Sequence, residues 1–158
     1  MNVKTFILLF ICVSLNLFSQ QEKVQVLHEY TFEELTELQK KEQRPVVVFL
    51  HTNWCKYCFA MKKNTFTNTK VIDLLNNNFY FISFNAESKK EITYNNYTFK
   101  FKPSGTNTGV HELAIALTSN KLTYPSTIVL SNKNEIIFEA SSFLNYSSLI
   151  KSLKAVKN

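Results

Sequence analysis

Apolar and polar positions change period along this chain, and each change marks an element. Val24 and Val26 alternate with polar neighbours and predict an edge strand. Thr31 followed by Glu34 forms a capping box. Tyr30 is placed to staple onto Leu35, and Phe32, Leu35 and Leu38 share one helical face. Gln39 to Arg44 closes that helix, and Pro45 stops it. Val46 to Leu50 is apolar without a break, the pattern of a central strand covered on both faces. A helix follows from Cys55 to about Asn64, then a break over Phe66 to Lys70 and a short helix over Val71 to Leu75. Phe79 to Phe84 reads as a strand. The first half is therefore β-α-β-α-β.

The second half is less regular. Ile92-Thr93-Tyr94 and Tyr97-Thr98-Phe99 flank Asn95-Asn96 and predict a small hairpin. Lys102 to Asn107 has the composition of a loop. Gly109 to Thr118 carries Val110, Leu113, Ala114 and Leu117 on one helical side. Ser126 to Ser131 and Glu135 to Ala140 predict an antiparallel pair around Asn132-Lys133-Asn134. Asn145 is placed to cap a last helix whose Leu149, Ile150 and Leu153 face inward. These elements make one α/β domain, with no repeat and no long linker.

The amino terminus changes the picture. Lys4 precedes the apolar run Phe6 to Val13, and Leu15 to Ser19 then leads to polar Gln20-Gln21-Glu22. That is the pattern of a secretory signal over residues 1–20, leaving 21–158 as an exported domain with no membrane span in the mature chain. Cleavage removes Cys12, and only Cys55 and Cys58 remain. A secreted domain stapled by disulfides carries more cysteines at wider spacing, so a lone close pair reads as a redox pair. A structural bridge over so small a loop would add little chain-entropy stabilisation. The formal charge of +6 comes almost entirely from scattered Lys, Arg44 being the sole arginine, and supports no nucleic-acid site.

The candidate chemistry lies in His51-Thr52-Asn53-Trp54-Cys55-Lys56-Tyr57-Cys58. A strand runs in and a helix runs out. A thiolate at a helix N-terminus meets unpaired N–H groups and the positive end of the dipole, so its pKa falls. Two other readings stay open: a soft-metal module with Cys55 and Cys58 as ligands, or a partner-binding protein with little turnover. Two cysteines without a spaced His pair argue against a closed zinc site, and no cofactor is implied. His51, at the strand end, is a surfacing polar residue or a modulator of Cys55. His111-Glu112 lacks the second His of a zinc-protease helix, which makes His111 a helix-surface or packing residue, and His28 carries no chemistry. Asn96-Tyr97-Thr98 and Asn145-Tyr146-Ser147 match glycosylation sequons, frequent by chance in an Asn-rich chain.

A strand, Trp-Cys-x-x-Cys and a helix, followed by a β-β-α end with Pro125 before its first strand, resemble the thioredoxin superfamily across roughly Val24 to Val156. Asn53 to Cys58, Met61 and Thr65 to Val71 are similar to the branch of exported bacterial thioredoxin-related proteins and the periplasmic C-terminal domain of the transmembrane disulfide reductase. The resemblance implies a three-layer sandwich, a central mixed sheet with helices on both faces. It implies Cys55 as exposed nucleophile, Cys58 as resolving thiol, Trp54 as a shield and Pro125 as a cis-proline facing the disulfide. The backbone before that proline, in Tyr124-Pro125-Ser126-Thr127, would pair with substrate. Lys56 and Tyr57 replace the usual Gly-Pro, and Lys56 would favour a nearby thiolate modestly. The implied activity is disulfide reduction on protein substrates in the periplasm by a monomer, with a membrane electron carrier as the restoring partner. Two departures stand out. Phe49 occupies the place of the buried Asp found in many thioredoxins, and residues 87–108 form an insertion that either shapes a partner surface or is a tolerated surface loop.

Overall fold

The structure, a computed structural model, describes residues 25–119 and 121–157. The predicted signal segment lies outside the described residues, as does Val24. Val26 is exposed and joins no strand. The chain instead touches the sheet only where Glu29 bridges Phe81, and Asn76 holds the segment by accepting from the His28 N–H and donating to the Val26 carbonyl. The predicted opening strand is therefore reduced to one bridge. Leu27, not Val26, is the residue of this segment that packs against the core.

Helix α1 spans Phe32–Lys41. Its capping box is complete: Thr31 Oγ1 accepts from the Glu34 N–H at 3.3 Å, and the Thr31 N–H donates to Glu34 Oε2 at 2.7 Å. Strand β1, Val46–His51, is buried at every position. It pairs parallel with β2 (Tyr80–Asn85) and antiparallel with β7 (Ser126–Leu130), while β8 (Ile136–Ala140) closes the order β2-β1-β7-β8. Alternation along β1 divides the core. Val46, Val48 and Leu50 join Phe32 and Leu35 of α1 and Leu113 of a short helix α4, Glu112–Ala116. Val47 and Phe49 join Cys58 and Met61 of α2 (Lys56–Asn64), Val71 and Leu75 of α3 (Thr69–Asn78), and Leu149 and Leu153 of α5 (Tyr146–Lys157). Three layers result: helices, mixed sheet, helices.

Several bounds differ from the pattern-based expectation. Helix α3 starts and ends further out than Val71 to Leu75, because Asn68 caps it and the Asn77 and Asn78 side chains bond back to Asp73 and to the Leu74 carbonyl. The hairpin of β3 (Ile92–Tyr94) and β4 (Tyr97–Phe99) turns through Asn95 and Asn96 at φ 52° and 61°, a left-handed pair that Asn tolerates. The larger corrections follow it. Residues expected as loop and helix form a second antiparallel pair, β5 (Phe101–Pro103) with β6 (Gly109–His111), and only Glu112–Ala116 is helical. The His111 N–H donates to the Ala86 carbonyl at 2.7 Å, and that tertiary bond holds Gly109 to His111 extended. Gly109 is required there: an added Cβ would meet the Lys102 carbonyl oxygen at 2.5 Å and the Phe101 ring. His111 is fully buried rather than on a helix surface, and its Nδ1 caps α4 by accepting from the Leu113 N–H.

Candidate active site

Strand β1 ends at His51, which is buried and not a surfacing residue, and Thr52-Asn53-Trp54 carries the chain from the end of the sheet into α2. Cys55 is the N-cap of that helix, in extended conformation, and its Sγ accepts from the Cys58 N–H at 3.0 Å. The spacing puts Cys58 in the first turn, where the two sulfurs are joined at 2.05 Å with Cα atoms 5.2 Å apart. Burial is unequal. Cys55 keeps 7% of its surface and Cys58 keeps 1%. Cys55 is thus the more reachable sulfur, though far less open than an exposed nucleophile. The first turn of α2 contains no acidic residue, and Lys56 and Tyr57 both stand in solvent.

Trp54 does not lie as a closed cover over the pair. Its indole is 66% exposed, its Nε1 donates to Glu87 Oε1 at 2.9 Å, and its ring meets the Tyr124 ring edge-on at 5.9 Å. Tyr124 in turn packs against the apolar cluster that holds Cys55 and Cys58. Burial and the Glu87 carboxylate push its phenol up to about 12. The Tyr124–Pro125 peptide bond is cis, and Pro125 is buried at the entry to β7. Trp54, Cys55, Cys58 and Tyr124 therefore come together at one end of the sheet. Glu87, which ties the redox loop to the segment after β2, carried no marker in sequence.

Beneath the pair, Phe49 is fully buried. Its ring stacks on His51 at 5.6 Å and meets Phe66 at 4.8 Å. Thr127, its register partner on β7, has a buried hydroxyl with no hydrogen-bond partner among the described residues, as does Thr52. Lys62 Nζ donates to His51 Nε2 at 3.0 Å. Burial, then the Lys62 charge, lowers the His51 pKa to about 4, so the ring is neutral at ordinary pH. His28 is exposed and anchored through its backbone. Among the described residues no group of three or more His, Cys, Asp or Glu converges as a metal site, and no helix is long and apolar enough to cross a membrane.

No curated protein matches the chain in sequence. A family model described as thioredoxin-like matches residues 27–106. Among solved structures, a thioredoxin from Thermus thermophilus is similar with a TM-score of 0.59 and 21% identity, over 82% of this chain and 86% of that one. An oxidoreductase named DsbH aligns with a TM-score of 0.58 and 11% identity, over 89% of this chain and 92% of its own. The C-terminal domain of DsbD from Neisseria meningitidis, in its reduced form, gives 0.51 and 15%, over 81% and 98%. At these identities the structures speak for the fold, while the family match covers the first strand, the cysteine pair and the residues through the β3–β5 region. The chain belongs to the thioredoxin-like family.

Proposed function

We propose that this protein is an exported thiol–disulfide oxidoreductase acting as a disulfide reductase on protein substrates in the periplasm. One observation carries the reading: a cysteine pair caps the start of a helix, with one sulfur reachable and the other enclosed. In the reduced protein, Cys55 as thiolate attacks one sulfur of a substrate disulfide and expels the other as a thiolate, which takes up a proton. The mixed disulfide is then broken by Cys58, whose thiolate attacks Cys55 Sγ. The substrate leaves as a dithiol, two electrons have moved to it, and the protein holds the Cys55–Cys58 bond seen here.

Each flanking residue has a part in this scheme. The helix N-terminus favours the Cys55 thiolate, and Lys56 adds positive charge beside it. Trp54 and Tyr57 offer apolar surface to a docking polypeptide, and the backbone at Tyr124-Pro125 pairs with it. A membrane electron carrier restores the dithiol. The mature domain is residues 21–158, monomeric, with 87–108 inserted beside the site.

The test is turnover of insulin disulfides by reduced protein. Wild type is expected to be active, Cys55→Ser inactive, and Cys58→Ser to accumulate mixed disulfides. Equal rates for wild type and Cys55→Ser would overturn the assignment. The reduction potential decides direction: a value near ~−270 mV marks a reductant and one near ~−120 mV an oxidant. Mass analysis of the protein recovered from the cell envelope decides whether residues 1–20 are removed.

A further inference from the structure

The resolving thiol poses a physical problem. Cys58 keeps 1% of its surface, and burial raises a thiol's pKa. Its thiolate is nonetheless the species that must displace the substrate. Phe49 beneath it offers no base.

The charged group one helical turn beyond Cys58 is Lys62. Residues four apart on a helix have Cβ atoms roughly 5–6 Å apart. Lys62 and Lys63 are both exposed, and Lys63 takes part in no ion pair among the described residues. Lys62 is instead held: its Nζ donates to His51 Nε2 at 3.0 Å, and His51 is fixed by stacking on Phe49 inside the cluster that contains both cysteines. His51 can hold the ammonium because a neutral imidazole leaves one ring nitrogen free to accept. Glu29, from the segment before α1, is the carboxylate that faces Lys62. A cleft of about 460 Å³, lined by Glu29, Phe49, Lys62 and Phe66, opens on this side.

We infer that Lys62, positioned by His51, sets the acidity of the buried Cys58 thiol. In the reduced protein the Cys58 proton passes to solvent, and the ammonium stabilises the thiolate left behind. That electron pair then forms the bond to Cys55 Sγ as the Cys55–substrate bond breaks, and the substrate sulfur takes up a proton. Lys62 is a positioning residue in this scheme and forms no bond to substrate. Lys62 is exposed but its bond to His51 is part-buried, and a unit charge at this separation, with solvent screening counted, changes an ionisation constant by about tenfold.

The inference rests on the oxidoreductase reading only for its effect on turnover; the acidity of Cys58 is measured without turnover. The experiment follows the ultraviolet absorbance of the thiolate against pH in full-length protein carrying Cys12→Ser and Cys55→Ser, so that Cys58 is the one thiol that titrates. Lys62→Met is expected to lower the thiolate fraction about tenfold at a given pH, Lys62→Arg to restore most of it, and His51→Leu to lower it less than Lys62→Met. Lys63→Met is the control and should change nothing. If Lys62→Met does not fold, Lys62→Gln, which keeps a donor for His51 without the charge, must show the same loss. Superimposable titrations for wild type and the neutral Lys62 variant would overturn the inference. A Lys62 effect on acidity in a protein that fails to reduce insulin would sink the function reading and leave this one standing.

Discussion

Replacing Phe49 tests whether the place filled in many thioredoxins by a carboxylate is here an apolar anchor. The side chain is wholly enclosed on the central strand, with Phe66 at 4.8 Å and His51 at 5.6 Å. Truncating such a residue to Ala loses its transfer free energy and leaves a cavity, together ~3–5 kcal/mol. The ring contact with Phe66 puts the expectation near the middle of that range, about 4 kcal/mol. Domains of this size are stable by about 5–15 kcal/mol, so Phe49→Ala should fold but sit close to the edge. With a urea slope of ~2 kcal/mol/M the unfolding midpoint, followed by circular dichroism of the oxidised protein, should fall by about 2 M. Phe49→Leu should lose less than half as much. Phe49→Asp should fall below Phe49→Ala by a further ~1–3 kcal/mol, since it adds a buried polar group without a built partner. A Phe49→Ala variant losing under about 1.5 kcal/mol, or a Phe49→Asp variant as stable as Phe49→Ala, would refute the account of this face of the core.

Other outcomes follow from the same structure. The folded state depresses the His51 pKa to about 4, below the ordinary 6.5, so its stabilisation is complete above about 6.5 and is lost as the pH falls toward 4; wild type should lose up to ~3 kcal/mol over that window from this group, and His51→Phe should flatten the pH profile measured by urea titration. Gly109→Ala forces a methyl against the Lys102 carbonyl and the Phe101 ring, and should lower the thermal midpoint through a loss of ~1–3 kcal/mol with the cysteine pair still able to oxidise. Thr31→Ala removes the capping box of α1 and should cost about 1 kcal/mol in the same assay, whereas Thr31→Ser should be nearly neutral.

What could be read along the chain was whatever its neighbours in sequence decide. The apolar run of β1, the Thr31–Glu34 box and the Asn95-Asn96 turn each declare themselves within a few residues, and each formed as expected. The Cys55–Cys58 pair is equally local. Residues 101–118 failed for the opposite reason. Val110, Leu113, Ala114 and Leu117 have a helical period, but the His111 N–H is taken by Ala86 and Gly109 is closed against Phe101, contacts that no local window contains. The same limit applies at the site. Trp54 finds Glu87 across 33 residues and His51 finds Lys62 across 11, so the surroundings of the sulfurs emerge only when strand and helix are folded together. The short helix expected over Val71 to Leu75 runs on to Asn78, because the Asn77 and Asn78 side chains bond back to Asp73 and the Leu74 carbonyl.

The indole of Trp54 is the only one in the chain, and it sits immediately before Cys55 with its N–H hooked to Glu87. The protein consequently carries its own optical gauge of oxidation state. A photon absorbed there is emitted beside the sulfur bridge, from a ring whose orientation is fixed on one side by a carboxylate and on another by the edge of Tyr124. No dye or tag is needed to watch electrons arrive and leave, and because Glu87 begins the stretch that leads into the two extra hairpins, anything that grips those hairpins should register in the same colour.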